Sequence, residues 1–173
     1  MEDNVDFVDM LDQGKVILIK IPEHTFPTKM HKNLLTTFFI QKVWIACQIR
    51  GKFSEYPRRT HFFIDELLQA PTAQLAIKDD LYQSRKFQLR FCLSVHGLAQ
   101  CKPLIEPFEE CGMNYMMLTG TDKASIDKFA KKIEPFTYTD FLKLDRYHSL
   151  NLIEYENGTS CFVTKLPKAV TSL

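Results

Sequence analysis

The sequence lacks a dominant charge and a long apolar run. Across its 173 residues, 22 lysines and arginines stand against 21 aspartates and glutamates, so the formal net charge is +1. This balance argues against a surface that binds polyanions everywhere, although one basic face can still exist. The longest apolar stretch, 34–49, is shorter than the ~20 residues that cross a bilayer, and Gln41, Lys42 and Gln48 interrupt it. We therefore expect a soluble chain with no membrane segment.

Paired cysteines are also missing from the sequence. Its five cysteines are scattered, mostly in apolar runs, and they form neither a C-x-x-C pair nor a zinc-finger spacing with histidine. They are Cys47, Cys92, Cys101, Cys111 and Cys161. An odd number of scattered cysteines favours buried, reduced thiols over a disulfide framework, so we expect a cytoplasmic location.

What the sequence does contain is a set of short apolar runs separated by segments with helical character. The runs that predict strands are 15–21, 61–65, 89–95 and 114–119. The intervening segments that predict helices are 28–50, 74–86, 98–111 and 122–134. Strands that alternate with helices at crossover length predict a parallel sheet flanked by helices, which is an α/β fold.

The ends of the predicted helices carry recognisable signals. Thr28 is a suitable N-cap for the first long helix, and Gly51 is a natural stop after Arg50. Apolar residues cover much of the circumference of that helix, so we expect it to be buried against the sheet. Gly112 is expected to end the 98–111 helix, and Thr121 or Asp122 to cap the 122–134 helix.

The C-terminal part has a different character. Two apolar stretches, 150–155 and 161–166, flank the pair Asn157-Gly158. Asn-Gly between two such stretches is a strong hairpin signal, which predicts an antiparallel β-hairpin added to the parallel sheet. Because no linker or internal repeat is visible, we expect residues 1–173 to form a single domain.

The pattern that best predicts chemistry is Phe62-Phe63-Ile64-Asp65-Glu66. A strand with no polar residue, buried on both faces, would deliver two acids at its carboxyl end, where open α/β sheets bind their ligands. In a phosphate-loop ATPase, the first acid of such a Walker B pair holds the Mg²⁺ shell and the second orients or deprotonates the attacking water. The alternative is that the two acids only cap the next helix.

The order of motifs resembles the C-terminal half of a RecA-like ATPase. The family in question is the conjugative-transfer and type IV secretion ATPases, the coupling-protein (VirD4/TraG), VirB4 and HerA-FtsK-like group. Its Walker B strand is similar to Ile64-Asp65-Glu66, and the helix end that follows is similar to Ser84-Arg85-Lys86. Its sensor segment is similar to 94–100. The resemblance covers most of 14–168 and implies a partial RecA-like three-layer fold, with a mainly parallel sheet, flanking helices and a C-terminal antiparallel hairpin.

The resemblance also implies roles for individual residues. Asp65 and Glu66 would be the catalytic acids, and Asp65 would hold Mg²⁺ through water. His96 stands where the family usually has glutamine, so the nucleotide sensor is either His96 or Gln100. Arg85 is a candidate arginine finger across a subunit interface, with a solvated helix end as the alternative. The remaining candidates are DNA contacts on one helix: Lys128, Lys131 and Lys132.

The whole family member would bind ATP and Mg²⁺ and work as a ring of identical subunits. Its partners would be the conjugation or secretion apparatus at the inner face of the cell membrane, and DNA or a protein as the transported substrate. However, the phosphate-binding motif G-x-x-x-x-G-K-[ST] occurs nowhere in the 173 residues. We therefore expect this chain to be the C-terminal piece of a longer ATPase, or a degenerate relative, and to be inactive alone.

Two other functions are compatible with the sequence. The first is a non-catalytic interaction or scaffold domain with a RecA-like or Rossmann-like core. The second is a Mg²⁺-dependent phosphotransfer or nuclease site built on Asp65 and Glu66. That site would need further carboxylates at neighbouring strand ends, and the ends at Pro22, His96 and Thr119 do not supply them.

Overall fold

A computed structural model describes residues 5–22, 24–26, 28–67 and 70–167 of the chain. Within these ranges the protein is mixed α/β, with one parallel and one antiparallel sheet. The chain divides into two compact units, of which the first comprises Met1–Val95 with Gln100–Pro107 and the second His96–Ala99 with Phe108–Leu173. The expectation of a single domain stays a prediction.

The regular elements alternate along the chain. The described helices are α1 (Phe7–Asp12), α2 (Lys29–Phe53), α3 (Pro71–Ser84), a 3₁₀ helix (Leu98–Leu104), α4 (Ile105–Glu110), α5 (Lys123–Asp127) and α6 (Tyr138–Leu142). The described strands are β1 (Thr60–Ile64), β2 (Leu89–Leu93), β3 (Tyr115–Leu118), β4 (His148–Tyr155) and β5 (Gly158–Lys165).

The helix α2 begins where the sequence predicts. Thr28 is extended, and its hydroxyl accepts a hydrogen bond from the His31 amide at 3.2 Å. Its end differs from the prediction, because the helix continues through Gly51 to Phe53. As expected, the helix is buried against the sheet, through Val43, Trp44 and Cys47, but only along one side, since Leu34 is 63% exposed and Phe38 51%.

The strands β1 and β2 form a two-stranded parallel sheet, as the strand-helix alternation predicts. One face of this sheet packs on α2, where Leu89, Phe62 and Phe91 meet the helix residues Trp44 and Cys47. The rings of Phe62 and Phe91 lie 6.1 Å apart between centroids. This cluster holds β1 against α2 and so fixes the direction in which the chain leaves β1 towards Asp65 and Glu66.

The strand predicted over 15–21 is wrong. The chain there has no regular secondary structure, and Val16 is 95% exposed and Leu18 89%. The β-branched run gives a local preference for extended backbone, but a strand also needs a hydrogen-bonded neighbour.

The second unit contains a three-stranded sheet in the order β3-β4-β5. The hairpin of β4 and β5 is confirmed, although residues 156 and 157 connect the strands and Gly158 already pairs with Tyr155. Its predicted addition to the parallel sheet is wrong, because it joins β3 in a separate sheet. The prediction that β3 continues a parallel sheet is wrong, because β3 pairs antiparallel with β4. β3 pairs with the long C-terminal strand β4, and the alternation of predicted strands and helices gave no indication of this pairing.

The core of the second unit lies under this sheet. Met117, Leu150 and Leu152 of the strands pack with Ile126 and Phe141 of the short helices. The predicted helix over 122–134 is shorter than expected and ends at Asp127, after which the chain continues in turns. Asp122 caps it as predicted, accepting a hydrogen bond from the Ser125 amide at 2.9 Å.

In the part of the chain that the structure describes, no helix is both long and apolar enough to span a bilayer.

Candidate functional site

The carboxylates Asp65 and Glu66 directly follow the last residue of β1. Because β1 and β2 are parallel, this position lies at the carboxyl edge of the sheet, where Ser94 follows the end of β2. Both acids are exposed. The structure therefore places the pair as the sequence predicts, at a strand end and open to a ligand.

Backbone hydrogen bonds hold this edge in place. The Ser94 amide donates to the Ile64 carbonyl at 3.0 Å, and the Leu67 amide donates to the Ser94 carbonyl at 3.3 Å. Ser94 thus contacts the chain on both sides of the acid pair. Since Leu67 is fully buried, the segment that carries the acids is anchored at both ends.

The backbone of Glu66 is in the left-handed region, with φ of +50°. Residues other than glycine, asparagine and aspartate are uncommon there, and the conformation costs them on the order of 1 kcal/mol. The Glu66 amide donates to the Asp65 side chain at 3.0 Å, which supports the turn. This conformation changes the direction of the chain between the two acids.

A cleft of about 370 Å³ lies beside the acids within the first unit. Its apolar lining comes from the 15–21 segment, from α2 and from β1. Three charged residues also line it, namely Lys32, Asp65 and Glu66. The volume is in the range of small-molecule sites, although the cleft is about half open to solvent.

The residues that sequence reasoning missed are those that α2 and the 15–21 segment bring to the cleft. Lys32 and Thr36 lie one helical turn apart on α2, and both line it. A Lys and a Thr at i and i+4 share one helix face, but nothing local indicates which cleft that face borders.

A magnesium ion fits the chemistry of the acid pair only in part. The described residues contain no group of three or more His, Cys, Asp and Glu that could hold a metal. Magnesium, however, usually keeps several waters and binds through one or two carboxylates plus substrate phosphates. Asp65 is therefore suited to a water-mediated contact with a Mg²⁺ that phosphates also bind.

The candidate sensor His96 is exposed and belongs to the second unit. The loop that carries it is fixed locally, because the Leu98 amide donates to the Ser125 hydroxyl at 3.0 Å. The same hydroxyl donates to Asp122 at 2.6 Å, which lowers the pKa of Asp122. Gly97 allows this close packing, since a Cβ there would lie 2.5 Å from an Asp122 carboxylate oxygen.

The other candidate sensor, Gln100, belongs to the first unit. Its backbone carbonyl accepts a hydrogen bond from the Gln74 side chain at 3.1 Å. Its side-chain Oε1 is buried and has no hydrogen-bond partner among the described residues. An orphan buried polar atom of this kind is rare and marks a position where a water or ligand atom is expected.

Arg85 directly follows α3 and is exposed. It precedes β2 by a few residues, so it lies towards the amino ends of the strands, whereas Asp65 and Glu66 follow the carboxyl end of β1. Within the first unit, therefore, the structure does not bring Arg85 to the acids. A role for Arg85 in trans stays a prediction.

The three candidate lysines for DNA contact follow α5 rather than lie along it. Lys128 is the residue after the helix, and Lys131 and Lys132 are in the turns beyond it. The ammonium group of Lys132 lies 2.5 Å from a carboxylate oxygen of Glu154. This ion pair neutralises one of the three charges, and the expected helical basic face is absent because the helix ends early.

Comparison with known proteins gives no assignment for this chain. No family model, no curated protein and no solved structure matches it.

Proposed function

We propose that this chain is the carboxylate-bearing part of a RecA-like ATPase motor for conjugative DNA transfer or type IV secretion. The observation that carries the proposal is the position of Asp65 and Glu66 after β1 of a parallel sheet, beside a cleft of about 370 Å³. The order of the sequence motifs supports the choice of family. The full three-layer RecA-like sheet belongs to the same proposal.

In this function each acid has a separate role. Asp65 holds a water of the Mg²⁺ shell, and the metal supplies charge neutralisation at the phosphates. Glu66, turned by its left-handed backbone, orients the attacking water or accepts its proton. Gln100 or His96 contacts the γ-phosphate, and the unpaired Oε1 of Gln100 favours Gln100 as a polar contact in the assembled site.

The phosphate-binding loop must come from outside these 173 residues, because the sequence does not contain it. A loop of that type supplies the backbone N–H groups and the lysine that hold the β- and γ-phosphates. The proposed motor is an oligomer in which this chain contributes half of each active site. The motor works at the cytoplasmic face of the membrane, and its substrate is DNA or a protein.

The test is ATP hydrolysis by the chain alone and by the chain assembled with a segment that carries a phosphate loop. The chain alone should show no turnover. In the assembly, Glu66→Gln should permit ATP binding and stop hydrolysis, while Glu55→Gln, at an exposed loop position, should leave the rate unchanged. Hydrolysis by the chain alone that Asp65→Asn abolishes would overturn the assignment of a half-site.

A non-catalytic interaction domain is the second candidate, and one observation favours it. Phe63, in the middle of β1, is 72% exposed, which contradicts the expectation of a strand buried on both faces. Parallel sheets are normally covered on both faces, so an exposed face of such a sheet is a candidate contact surface. Unchanged hydrolysis in the Glu66→Gln assembly would favour this candidate over the motor.

A further inference from the structure

The two faces of the β1–β2 sheet differ in burial. Along β1, Thr60, Phe62 and Ile64 are partly or fully buried, whereas the alternate residues His61 and Phe63 are exposed. Side chains alternate between the faces of a strand, so one face is covered and the other is open.

On β2 the difference is clear only between Leu89 and Cys92, because Arg90, Phe91 and Leu93 are all partly buried. Leu89 is fully buried, while Cys92 is exposed. The parallel register places Phe63 beside Cys92 and His61 beside Arg90. We call these four residues the bare face of the sheet.

A bare face is unusual for a parallel sheet. Sheets of this type are normally covered on both faces, and the covering elements are helices. The opposite face obeys the rule, because Phe62, Phe91 and Leu89 pack on α2. Among the described residues, 5–22, 24–26, 28–67 and 70–167, no helix covers Phe63 and Cys92 of the bare face, both of which are exposed.

Charge changes sign along the bare face. Arg59 directly precedes β1, and Arg90 is the second residue of β2, so both lie at the amino ends of the strands. Asp65 follows the carboxyl end of β1, in a bend. Burial lowers the pKa of Arg90, and the nearby charges of Arg59 and Arg85 lower it further.

These arginine charges are not neutralised internally. In the ranges 5–22, 24–26, 28–67 and 70–167, neither Arg59, Arg85 nor Arg90 forms an ion pair with a carboxylate. A partner with negative potential at this end would relieve the repulsion between them. At the other end, Asp65 suits a partner with positive potential.

A helix that runs antiparallel to the strands has the charge distribution that such a partner needs. Its N-terminus carries a partial positive charge and its C-terminus a partial negative charge. We propose that the bare face binds an amphipathic helix of a partner polypeptide, with the helix N-terminus beside Asp65 and its C-terminus beside Arg59 and Arg90. The apolar side of that helix covers Phe63 and Cys92.

The dimensions set the length of the partner helix. Arg59 and Asp65 are six positions apart, which corresponds to about 20 Å of extended chain. At ~1.5 Å of rise per residue, a helix of about 13 residues spans this distance.

A second copy of the chain is the alternative occupant. Two strands of five residues present a footprint of about 16 by 10 Å. That is far below the ~800 Å² per partner of a stable complex, so the bare face alone should hold a partner only weakly. The proposal does not depend on the ATPase function, because it rests on burial and charge alone.

The test uses nuclear magnetic resonance of the ¹⁵N-labelled chain with a synthetic helical peptide of 14 residues. The peptide is neutral overall, carries leucines at i, i+3, i+4 and i+7, and bears a nitroxide at one end or the other. A nitroxide at its N-terminus should attenuate the amide signals of 64–66 and 93–94 at least twice as strongly as those of 59–61. A nitroxide at its C-terminus should reverse this order.

Matched variants separate specific binding from general stickiness. Phe63→Asp should weaken peptide binding at least 10-fold, while Phe53→Asp, 87% exposed at the end of α2, should leave it unchanged. Absent binding, equal attenuation at both ends or the opposite orientation would overturn the proposal. So would sedimentation showing a dimer of the chain that Phe63→Asp dissociates, since the occupant would then be a second copy.

Discussion

Arg50 and Asp12 form an ion pair in which the guanidinium Nε lies 2.6 Å from a carboxylate oxygen. Arg50 is only 2% exposed, yet its side chain also donates to the Thr60 hydroxyl at 2.8 Å and to the Arg58 carbonyl at 2.9 Å. One buried side chain thus connects α1, α2 and the start of β1. The position of the amino end of β1 depends on this connection.

Arg50→Ala should therefore lower the free energy of unfolding by about 2–4 kcal/mol, because it leaves the Arg58 carbonyl and the Thr60 hydroxyl without a donor. Asp12→Ala should cost less than about 1 kcal/mol, because the Asp12 side chain is 58% exposed and water replaces its partner. Urea unfolding of the two variants checks this difference. If both variants lose the same free energy of unfolding, then the ion pair with Asp12, rather than the bonds to the Arg58 carbonyl and the Thr60 hydroxyl, accounts for the effect of Arg50.

Asp80 should make stability depend on pH. Burial raises the pKa of Asp80 to about 6, although Gln41 donates a hydrogen bond to it at 3.2 Å. The folded state therefore binds a proton more tightly than the unfolded state does, so Asp80 lowers stability as pH rises from about 4 to 6. Its contribution is constant above that window, where the cost of the buried charge is about 2–3 kcal/mol.

Asp80→Asn keeps the acceptor for Gln41 and removes the charge. It should raise the free energy of unfolding at pH 7.5 by up to about 2 kcal/mol and have little effect near pH 4. Chemical unfolding across this pH range measures the difference from the parent chain. The control is Glu55→Gln, which removes a charge at an exposed loop position of the same unit, and a larger effect from that variant would contradict the prediction.

The sequence was sufficient where structure depends on neighbours along the chain. Thr28 caps α2, and both parallel strands lie within a residue or two of their predicted ranges, since caps and apolar runs act locally. The positions of Asp65 and Glu66 followed from the same logic, because a residue at the end of a parallel strand lies at the ligand-binding edge.

The predictions that went wrong concern long-range contacts. The 15–21 run is not a strand, and Phe63 is exposed, because both expectations assumed neighbouring elements that the described structure does not place there. Similarly, β3 joins β4, whose length could be inferred only from the C-terminal hairpin. The Arg50 connection was not predicted because it requires α1, which has no strong apolar periodicity.

Asn151 should be the most sensitive polar position of the second unit. It is 6% exposed, and its amide donates to the Thr164 hydroxyl at 2.8 Å and to the carbonyls of Ser149 and Phe162 at 3.2 and 3.3 Å. Asn151→Leu should cost about 2–3 kcal/mol, because the Ser149 hydroxyl stays buried with fewer partners. Thr159→Val, at an exposed position of β5, is the matched control and should change stability by less than about 0.5 kcal/mol.

The acid pair should matter for chemistry and not for folding. Both Asp65 and Glu66 are exposed, so Asp65→Asn and Glu66→Gln should each change stability by less than about 0.5 kcal/mol. In the assembled ATPase, removal of a general base should lower turnover by about 10²–10⁴-fold. Thermal unfolding and hydrolysis rates on the same samples give both values. A large loss of stability would assign the pair a structural role.

The cysteines should differ strongly in their reactivity, and Cys92 should react first. Cys92 is exposed on the bare face. Cys111 is exposed too, but partial burial and the charge of Glu110 raise the pKa of its thiol. Cys47 and Cys101 are fully buried, and burial raises the pKa of both thiols. The thiolate is the reactive form, so buried thiols with raised pKa values react slowly. A short pulse of iodoacetamide followed by peptide mass spectrometry should modify Cys92 at least about 100-fold faster than Cys47 and Cys101. If the reaction is fastest at Cys92, Cys92→Ser should remove the fast phase. Comparable modification rates for Cys92, Cys47 and Cys101 in the native protein would mean that β2 is covered on both faces.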